Sequence, residues 1–346
     1  MKRKRILDIG FGRKTLYELY KSTEMSSRLL YGLAQLEDVY DIHHVSLERP
    51  NLKGTILNNF KVLGKYEIIF MTYLYLPPLF LLAVLRKIGF YKKRKLFAIS
   101  HIALMSGRNC FERILNQLIY NSFDTIFFHS QKNLEESIDR GLIQNIHAEF
   151  LFWGDDLEYI DQHINCSQGN FFLSTGREQR DFPLLLSVFS KTTVPLELYT
   201  NKVNYDNNYG YLEEMQGKYP NVKIEFVEKS AKTTHMLAQR SAQCLCIVIP
   251  LLKQEIYYCL GLTSVVEAMA MGKPIISSRN PYSPIDIEKE QVGFVVDDEE
   301  SWVKAINYMI SHPEETKKMG EKARILAERK YNIRECARQL NRFFSE

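Results

Sequence analysis

No apolar run in this 346-residue sequence is long enough to cross a bilayer as a helix. The longest, residues 74–85, has 12 members and includes Pro77 and Pro78, whereas a spanning helix needs about 20 residues. Charge of one sign is also scarce: 45 Lys and Arg against 41 Asp and Glu leave +4, too little for a global field that would draw nucleic acid. The six cysteines (110, 166, 244, 246, 259 and 336) include no Cys-x2-Cys pair and no paired histidine spacing, so neither a zinc site nor a disulfide framework is indicated. Cys244 and Cys246 alternate along Cys-Leu-Cys-Ile-Val-Ile and read as core thiols on one face of a buried strand in a reducing compartment. Gly10-Phe-Gly12 lacks the third glycine of a dinucleotide fingerprint. Asp156-x-Glu158 has no apolar strand feeding it and reads as a solvated turn, not a metal-binding pair. Lys2-Arg-Lys-Arg5 runs straight into Ile6-Leu-Asp-Ile9 without the apolar region of a signal peptide; the expected location is the cytoplasm.

What is present is an ordinary globular composition, 45% hydrophobic and 25% charged, in a length suited to two domains of about 150 residues. Strand-like segments alternate with helical ones throughout, the pattern of parallel sheets with crossover helices. In the first half, strands are expected at 5–9, 42–45, 66–70, 95–100, 124–128 and 149–153, with helices through 25–36, to about 88, at 108–120 and at 134–140. A polar stretch at 161–169 marks the boundary, and the second half begins afresh. Its strands are expected at 170–173, 196–200, 222–226, 244–250, from 275, and 293–296. Its helices are expected at 182–189, 235–240, 264–271, 301–310, 313–330 and 333–344.

The organising stretch is residues 261–278. A Gly-Leu-Thr-Ser turn opens an apolar helix, Gly-Lys-Pro ends it, and Ile275-Ile276 begins a buried strand. A helix entered through Gly261, Thr263 and Ser264 presents unpaired N–H groups and a partial positive charge, which suits an anion. Glu267 lies one turn inside. By itself it reads as a solvent-facing acid of an amphipathic helix; beside an anion site it could accept hydrogen bonds from ribose or sugar hydroxyls. His101 ends the strand at 95–100, where doubly wound sheets bind ligands, although a single histidine is commonly only a structural hydrogen bonder.

Glycine turn, Glu-Ala-Met-Ala helix and Gly-Lys-Pro-Ile strand together resemble the donor-binding signature of retaining, two-domain glycosyltransferases of family 4. Trp153-Gly-Asp-Asp156 and Ser174-Thr-Gly-Arg177 resemble the same family's inter-domain turn and phosphate loop. The resemblance covers nearly the whole chain and is strongest over 170–335. It implies a GT-B architecture: two Rossmann-like α/β domains, 1–162 and 163–330, facing across a cleft, with a helix at 331–346 returning to the first.

The resemblance also implies roles for residues. Glu267 would hold the donor ribose, Arg177 and Arg180 the diphosphate, His101 the donor sugar, and Gly10 and Gly12 the acceptor loop. The family's other glutamate, eight positions before Glu267, is replaced here by Cys259; Glu255 is close by but at the wrong spacing. The implied reaction is transfer from a nucleotide-sugar to a saccharide or lipid-linked acceptor, with retention, in cell-surface polysaccharide synthesis. The nucleotide-sugar is a substrate, and neither a cofactor nor a metal is expected. Nucleotide-sugar epimerases share the architecture, and Cys259 favours a third reading, a catalytically impaired sugar-binding or scaffold subunit. Arg86, Lys87 and 92–95, with Phe90 and Tyr91 between them, fit either a solvated loop or an anionic membrane surface, which would make the protein peripheral on the inner face.

Overall fold

The structure, a computed structural model, describes residues 3–47, 63–74, 76–164, 169–204, 207–253 and 258–346. Glu255 and Cys166 lie outside the described residues. The chain divides into two compact units, one of Met1–Ser22, Ser27–Trp153 and Ile333–Glu346, the other of Thr23–Ser26 and Gly154–Asn332. The chain passes from the first to the second at Trp153–Gly154, upstream of the polar stretch at 161–169, and helix Leu157–His163 buries Tyr159 and Ile160 in the second unit.

The first unit is a six-stranded sheet. Its strands are β1 (Arg5–Phe11), β2 (Asp41–Leu47), β3 (Ile68–Met71), β4 (Lys95–Ser100), β5 (Thr125–Phe128) and β6 (Ala148–Phe150). All pair in parallel, in the order β2-β1-β3-β4-β5-β6. The order reverses at β1 and β3, so the crevice beyond their carboxyl ends is the switch point where such sheets bind ligands. Helices α1 (Arg13–Lys21), α2 (Leu76–Lys87), α3 (Cys110–Tyr120) and α4 (Gln131–Asp139) make the crossovers. Leu79, Leu82, Ile119 and Leu134 from these helices cover Leu7, Ile69, Leu96 and Ile126 of the sheet.

One expected helix is absent. Over residues 25–36 the chain forms two short 3₁₀ turns, Ser27–Leu30 and Ala34–Leu36, separated by Tyr31 at φ 53 and Gly32 at φ 83. Two successive left-handed residues cannot continue a right-handed helix. The crossover helix is α1 instead, which Gly12, in the left-handed conformation at φ 61, admits directly after β1.

The second unit holds α5 (Leu157–His163) and a second six-stranded parallel sheet. Its strands are β7 (Phe172–Thr175), β8 (Leu196–Thr200), β11 (Val222–Phe226), β12 (Cys246–Ile249), β13 (Ile275–Ser278) and β14 (Gly293–Val296), in the order β11-β8-β7-β12-β13-β14. A small antiparallel pair, β9 (Val203–Asn204) and β10 (Asn207–Asn208), interrupts the sequence between β8 and β11. The helices are α6 (Phe182–Ser190), α7 (Ala231–Gln243), α8 (Leu262–Ala270), α9 (Glu299–Ser311) and α10 (Pro313–Arg329). Cys244 caps the carboxyl end of α7 and Cys246 opens β12; both thiols are fully buried, as core thiols should be. Asp156, rather than sitting in a solvated turn, is buried at the start of α5 and accepts the Tyr159 N–H at 3.2 Å.

The last helix, α11 (Ile333–Ser345), belongs to the first unit. Ile333, Cys336, Ala337, Leu340 and Phe344 recur at helical spacing and are buried, forming one apolar stripe. Phe344 packs against the sheet, its ring 5.1 Å from Phe97 and 5.9 Å from Phe70.

Candidate functional site

The switch point of the second sheet lies between β7 and β12. The segment 176–181 that leaves β7 is laced to the segment that leaves β12: Asp181 N–H donates to Pro250 carbonyl at 3.1 Å and Leu252 N–H to Gln179 carbonyl at 3.0 Å. Helix α8 begins beside this pair. Gly261 precedes it at φ 83, with no side-chain cap, so the helix entrance carries the N–H groups and dipole of an open amino end.

Arg180 is drawn into this corner. It is 6% exposed. Its Nη2 donates to Ser264 Oγ at 3.2 Å and its Nη1 to the Glu178 carbonyl at 2.7 Å, while Nε is buried with no hydrogen-bond partner. Ser264 Oγ in turn donates to the Thr175 carbonyl at 3.3 Å, tying the end of β7 to the start of α8. Gly176 makes the room, since a Cβ there would lie 2.4 Å from Arg180 Nε. Burial lowers the guanidinium to about 10, with the Glu178 charge opposing; it remains cationic at neutral pH, and no carboxylate among the described residues hydrogen-bonds to it. Burying such a charge is costly unless something anionic completes it.

The other expected donor residues distribute around that corner. Thr263 is exposed at the helix entrance. Arg177 is half-buried on the same loop, and burial lowers its guanidinium somewhat. Glu267 sits one turn inside α8 and accepts from Ser241 Oγ of α7 at 2.7 Å, a partner the sequence did not suggest. Cys259 is a partly buried thiol pushed up to about 12 by burial. It stays neutral and cannot replace a carboxylate.

In the first unit, Gly10 and Gly12 bracket the end of β1. A Cβ on Gly10 would lie 1.9 Å from Thr72 Oγ1, so only glycine lets the ends of β1 and β3 meet at their switch point. His101 lies just past β4 and is exposed. Around it stand three rings that sequence reasoning did not single out as a site. Tyr31 Oη is 3.3 Å from His101 Nε2, the His129 ring is 5.5 Å from His101, and Trp153 is 5.7 Å from His129. His129 follows β5 as His101 follows β4, and that shared strand-end position was the one legible signal. Among the described residues there is no group of three or more His, Cys, Asp or Glu suited to a metal.

Residues 225–326, all within the second unit, match the family model of glycosyl transferases group 1. The match holds β12, α8 and β13, and with them Glu267 and the α8 entrance. Solved structures share the whole fold at low identity. A glycosyltransferase from Rickettsia africae ESF-5 superposes with a TM-score of 0.71 at 15% identity, covering 99% of this chain and 98% of the other. AviGT4, a glycosyltransferase involved in avilamycin A biosynthesis, gives 0.58 at 11%, covering 99% and 97%. A UDP-GlcNAc 2-epimerase from Neisseria meningitidis bound to UDP-GlcNAc gives 0.55 at 12%, with 98% of each chain covered. No curated protein sequence matches the chain. The fold is therefore that of the GT-B structures, and part of its second unit matches the group 1 model.

Proposed function

We propose that this protein is a glycosyltransferase that moves a sugar from a nucleotide-sugar to a saccharide or lipid-linked acceptor, with retention, in the synthesis of a cell-surface polysaccharide. The observation that carries the reading is Arg180, a buried cation with an unpartnered Nε beside the open amino end of α8, inside the fold that glycosyltransferases share. A diphosphate there would complete the buried charge, receive the helix N–H groups and accept from Thr263. During transfer the bond from the anomeric carbon to the phosphate oxygen breaks and the acceptor oxygen bonds to the same carbon. The acceptor's proton leaves with the nucleoside diphosphate. Negative charge grows on the departing diphosphate, and Arg180 with the helix dipole is already oriented to stabilise it. Arg177 lies on the same loop as a second cation, Glu267 would take the ribose hydroxyls, and His101 would meet the donor sugar. The Gly10–Gly12 turn would take the acceptor. These groups already supply the positive field, so we expect turnover without a resident cofactor and in the presence of a chelator.

The test is a screen of UDP-, GDP- and CMP-sugars for thermal stabilisation, followed by product analysis with the stabilising donor and an acceptor pool. Saturation at 100 times the dissociation constant raises stability by about 2.7 kcal/mol. Turnover of donor alone to an epimeric sugar would establish the epimerase reading. Binding without turnover on any acceptor would establish the scaffold reading, which the neutral Cys259 thiol favours.

We also propose that the first unit rests on an anionic bilayer, at the inner face of the membrane. Helices α2 and α3 pack together and, with the turn after α2, leave Leu81, Ile88, Phe90, Phe111 and Ile114 exposed. Lys87, Lys92, Lys93 and Arg108 are exposed on the same elements and the loops beside them. Arg86 is not part of this set, because it is bonded to both oxygens of Asp124 at 2.9 and 2.7 Å. Arg94 is likewise engaged, donating to the Gly64 carbonyl at 2.7 Å. Apolar side chains rimmed by lysines match a headgroup layer of negative charge. Among the described residues no helix is long and apolar enough to cross a membrane.

A further inference from the structure

Tyr31 is held more firmly than a loop residue needs to be. Its φ of 53 is unusual for an aromatic residue. Helix α11 presses on the turn from one side: a Cβ on Gly32 would lie 2.6 Å from the Ala337 nitrogen, and Cys336 Sγ donates to the Tyr31 carbonyl at 3.4 Å. From the other side comes Arg13, the first residue of α1. Its guanidinium donates to the carbonyls of Leu29 and Leu30 and lies 5.6 Å from the centre of the Tyr31 ring. Arg13 is itself fixed by the buried carboxylate of Asp8 at 2.7 Å, and the same oxygen lies 2.6 Å from His44 Nδ1. The Tyr31 ring also stacks on His129 at 5.8 Å and 15°. All of this scaffolding delivers one polar atom to one place, the phenolic oxygen 3.3 Å from Nε2 of His101.

The protonation states decide what that contact means. Burial pushes the Tyr31 phenol up to about 12, so it keeps its proton. Desolvation by the rings packed beside it lowers the His101 imidazole from its ordinary value, so the ring is neutral at pH 7.5. A neutral imidazole has one N–H and one bare nitrogen, and which is which follows from the hydrogen bond made at the other end. We propose that Tyr31 is a positioning residue: its hydroxyl donates to Nε2 of His101 and fixes the histidine proton on Nδ1, making Nδ1–H the donor the ring offers to a sugar hydroxyl. This rests on the reading of His101 as a donor-sugar contact. In this arrangement His101 binds and orients, and Nε2 is occupied and does not act as a general base.

The test uses the full-length protein carrying ¹⁵N-labelled histidine, with long-range ¹H–¹⁵N correlation at pH 7.5 and the His101 signals identified by their loss in His101→Asn. The wild type should show the Nδ1–H pattern at His101. In Tyr31→Phe, checked for folding by circular dichroism, the signals should move toward the Nε2–H form that a free imidazole favours. With the donor found in the sugar-nucleotide screen, Tyr31→Phe should lower kcat about tenfold and change KM for the donor less than threefold. An Nε2–H pattern in the wild type, or a tautomer unchanged by Tyr31→Phe, overturns the proposal. Full transfer activity in His101→Asn would instead remove the sugar-contact reading and leave the tautomer result standing, so the two failures are separable.

Discussion

The guanidinium of Arg180 donates to Ser264 Oγ at 3.2 Å across 84 residues of sequence, and this contact joins the loop after β7 to the entrance of α8. Arg177 stands at the matching motif position, but Arg180 is the one that reaches the helix end. Arg180→Ala should therefore weaken binding of a nucleoside diphosphate by roughly 1.5 to 3 kcal/mol, or about ten- to hundredfold, and more than Arg177→Ala does. Calorimetry with UDP and GDP on both variants measures it. A larger loss at Arg177 would place the diphosphate away from the α8 corner.

Glu267→Gln should leave the fold intact, because the amide oxygen can still accept from Ser241 Oγ, now at 2.7 Å. Affinity for the nucleotide-sugar should fall by about 1.5 to 3 kcal/mol, the worth of a hydrogen bond to a charged group. Ser241→Ala is the control. If both variants lose stability equally and neither loses donor affinity, Glu267 is a strut between helices and nothing more.

Gly261→Ala should destabilise the second unit by roughly 1 to 2 kcal/mol, since an L-residue pays about that in the left-handed region. The added Cβ would also crowd both Leu251 methyls at 3.3 Å, which must give slightly, and the backbone strain comes from φ 83. Urea denaturation gives the number. Wild-type stability in the variant would mean that the entrance of α8 can rearrange.

Acidification should weaken the fold through His129. Burial, with His101 beside it, pushes this imidazole down to about 3, against about 6.5 in an unfolded chain. Between those values the unfolded chain binds the proton and the folded one does not. Stability from this group is therefore complete above pH 6.5 and lost as pH falls toward 3, by up to about 1.4 kcal/mol per pH unit. Urea midpoints at pH 7.5 and 5 should differ less in His129→Gln than in the wild type. Equal differences would show that His129 takes up its proton in the folded protein.

Partition to vesicles should separate the two components of the proposed membrane face. Changing Lys87, Lys92 and Lys93 to Gln should cost about 1 kcal/mol each on anionic vesicles and remove the salt dependence. Phe111→Ser with Ile114→Ser should weaken binding to anionic and neutral vesicles alike. Equal binding of the wild type to both vesicle types, whatever the salt, would sink the electrostatic part.

The alternation of apolar strands and amphipathic helices was legible because it depends on neighbours along the chain. Ile6–Ile9, Phe97–Ile99 and Ile247–Ile249 announce buried parallel strands by composition alone, and Gly261 announces a helix entrance because its conformation is a local matter. The region 25–36 misled for the opposite reason. Its apolar spacing suits a helix, but Ala337 and Arg13, distant in sequence, hold Tyr31 and Gly32 in left-handed conformations. Which arginine meets the α8 entrance, which serine takes Glu267 and which phenol meets His101 were likewise settled by packing. Those pairs are separated by 84, 26 and 70 residues, and a contact between distant residues exists only once the sheet they belong to has assembled and brought its loop ends together. The sequence by itself thus determined the α/β layers and the strand ends where chemistry can sit. The tertiary structure decided which side chains meet there, because burial and hydrogen-bond partners are properties of the assembled fold.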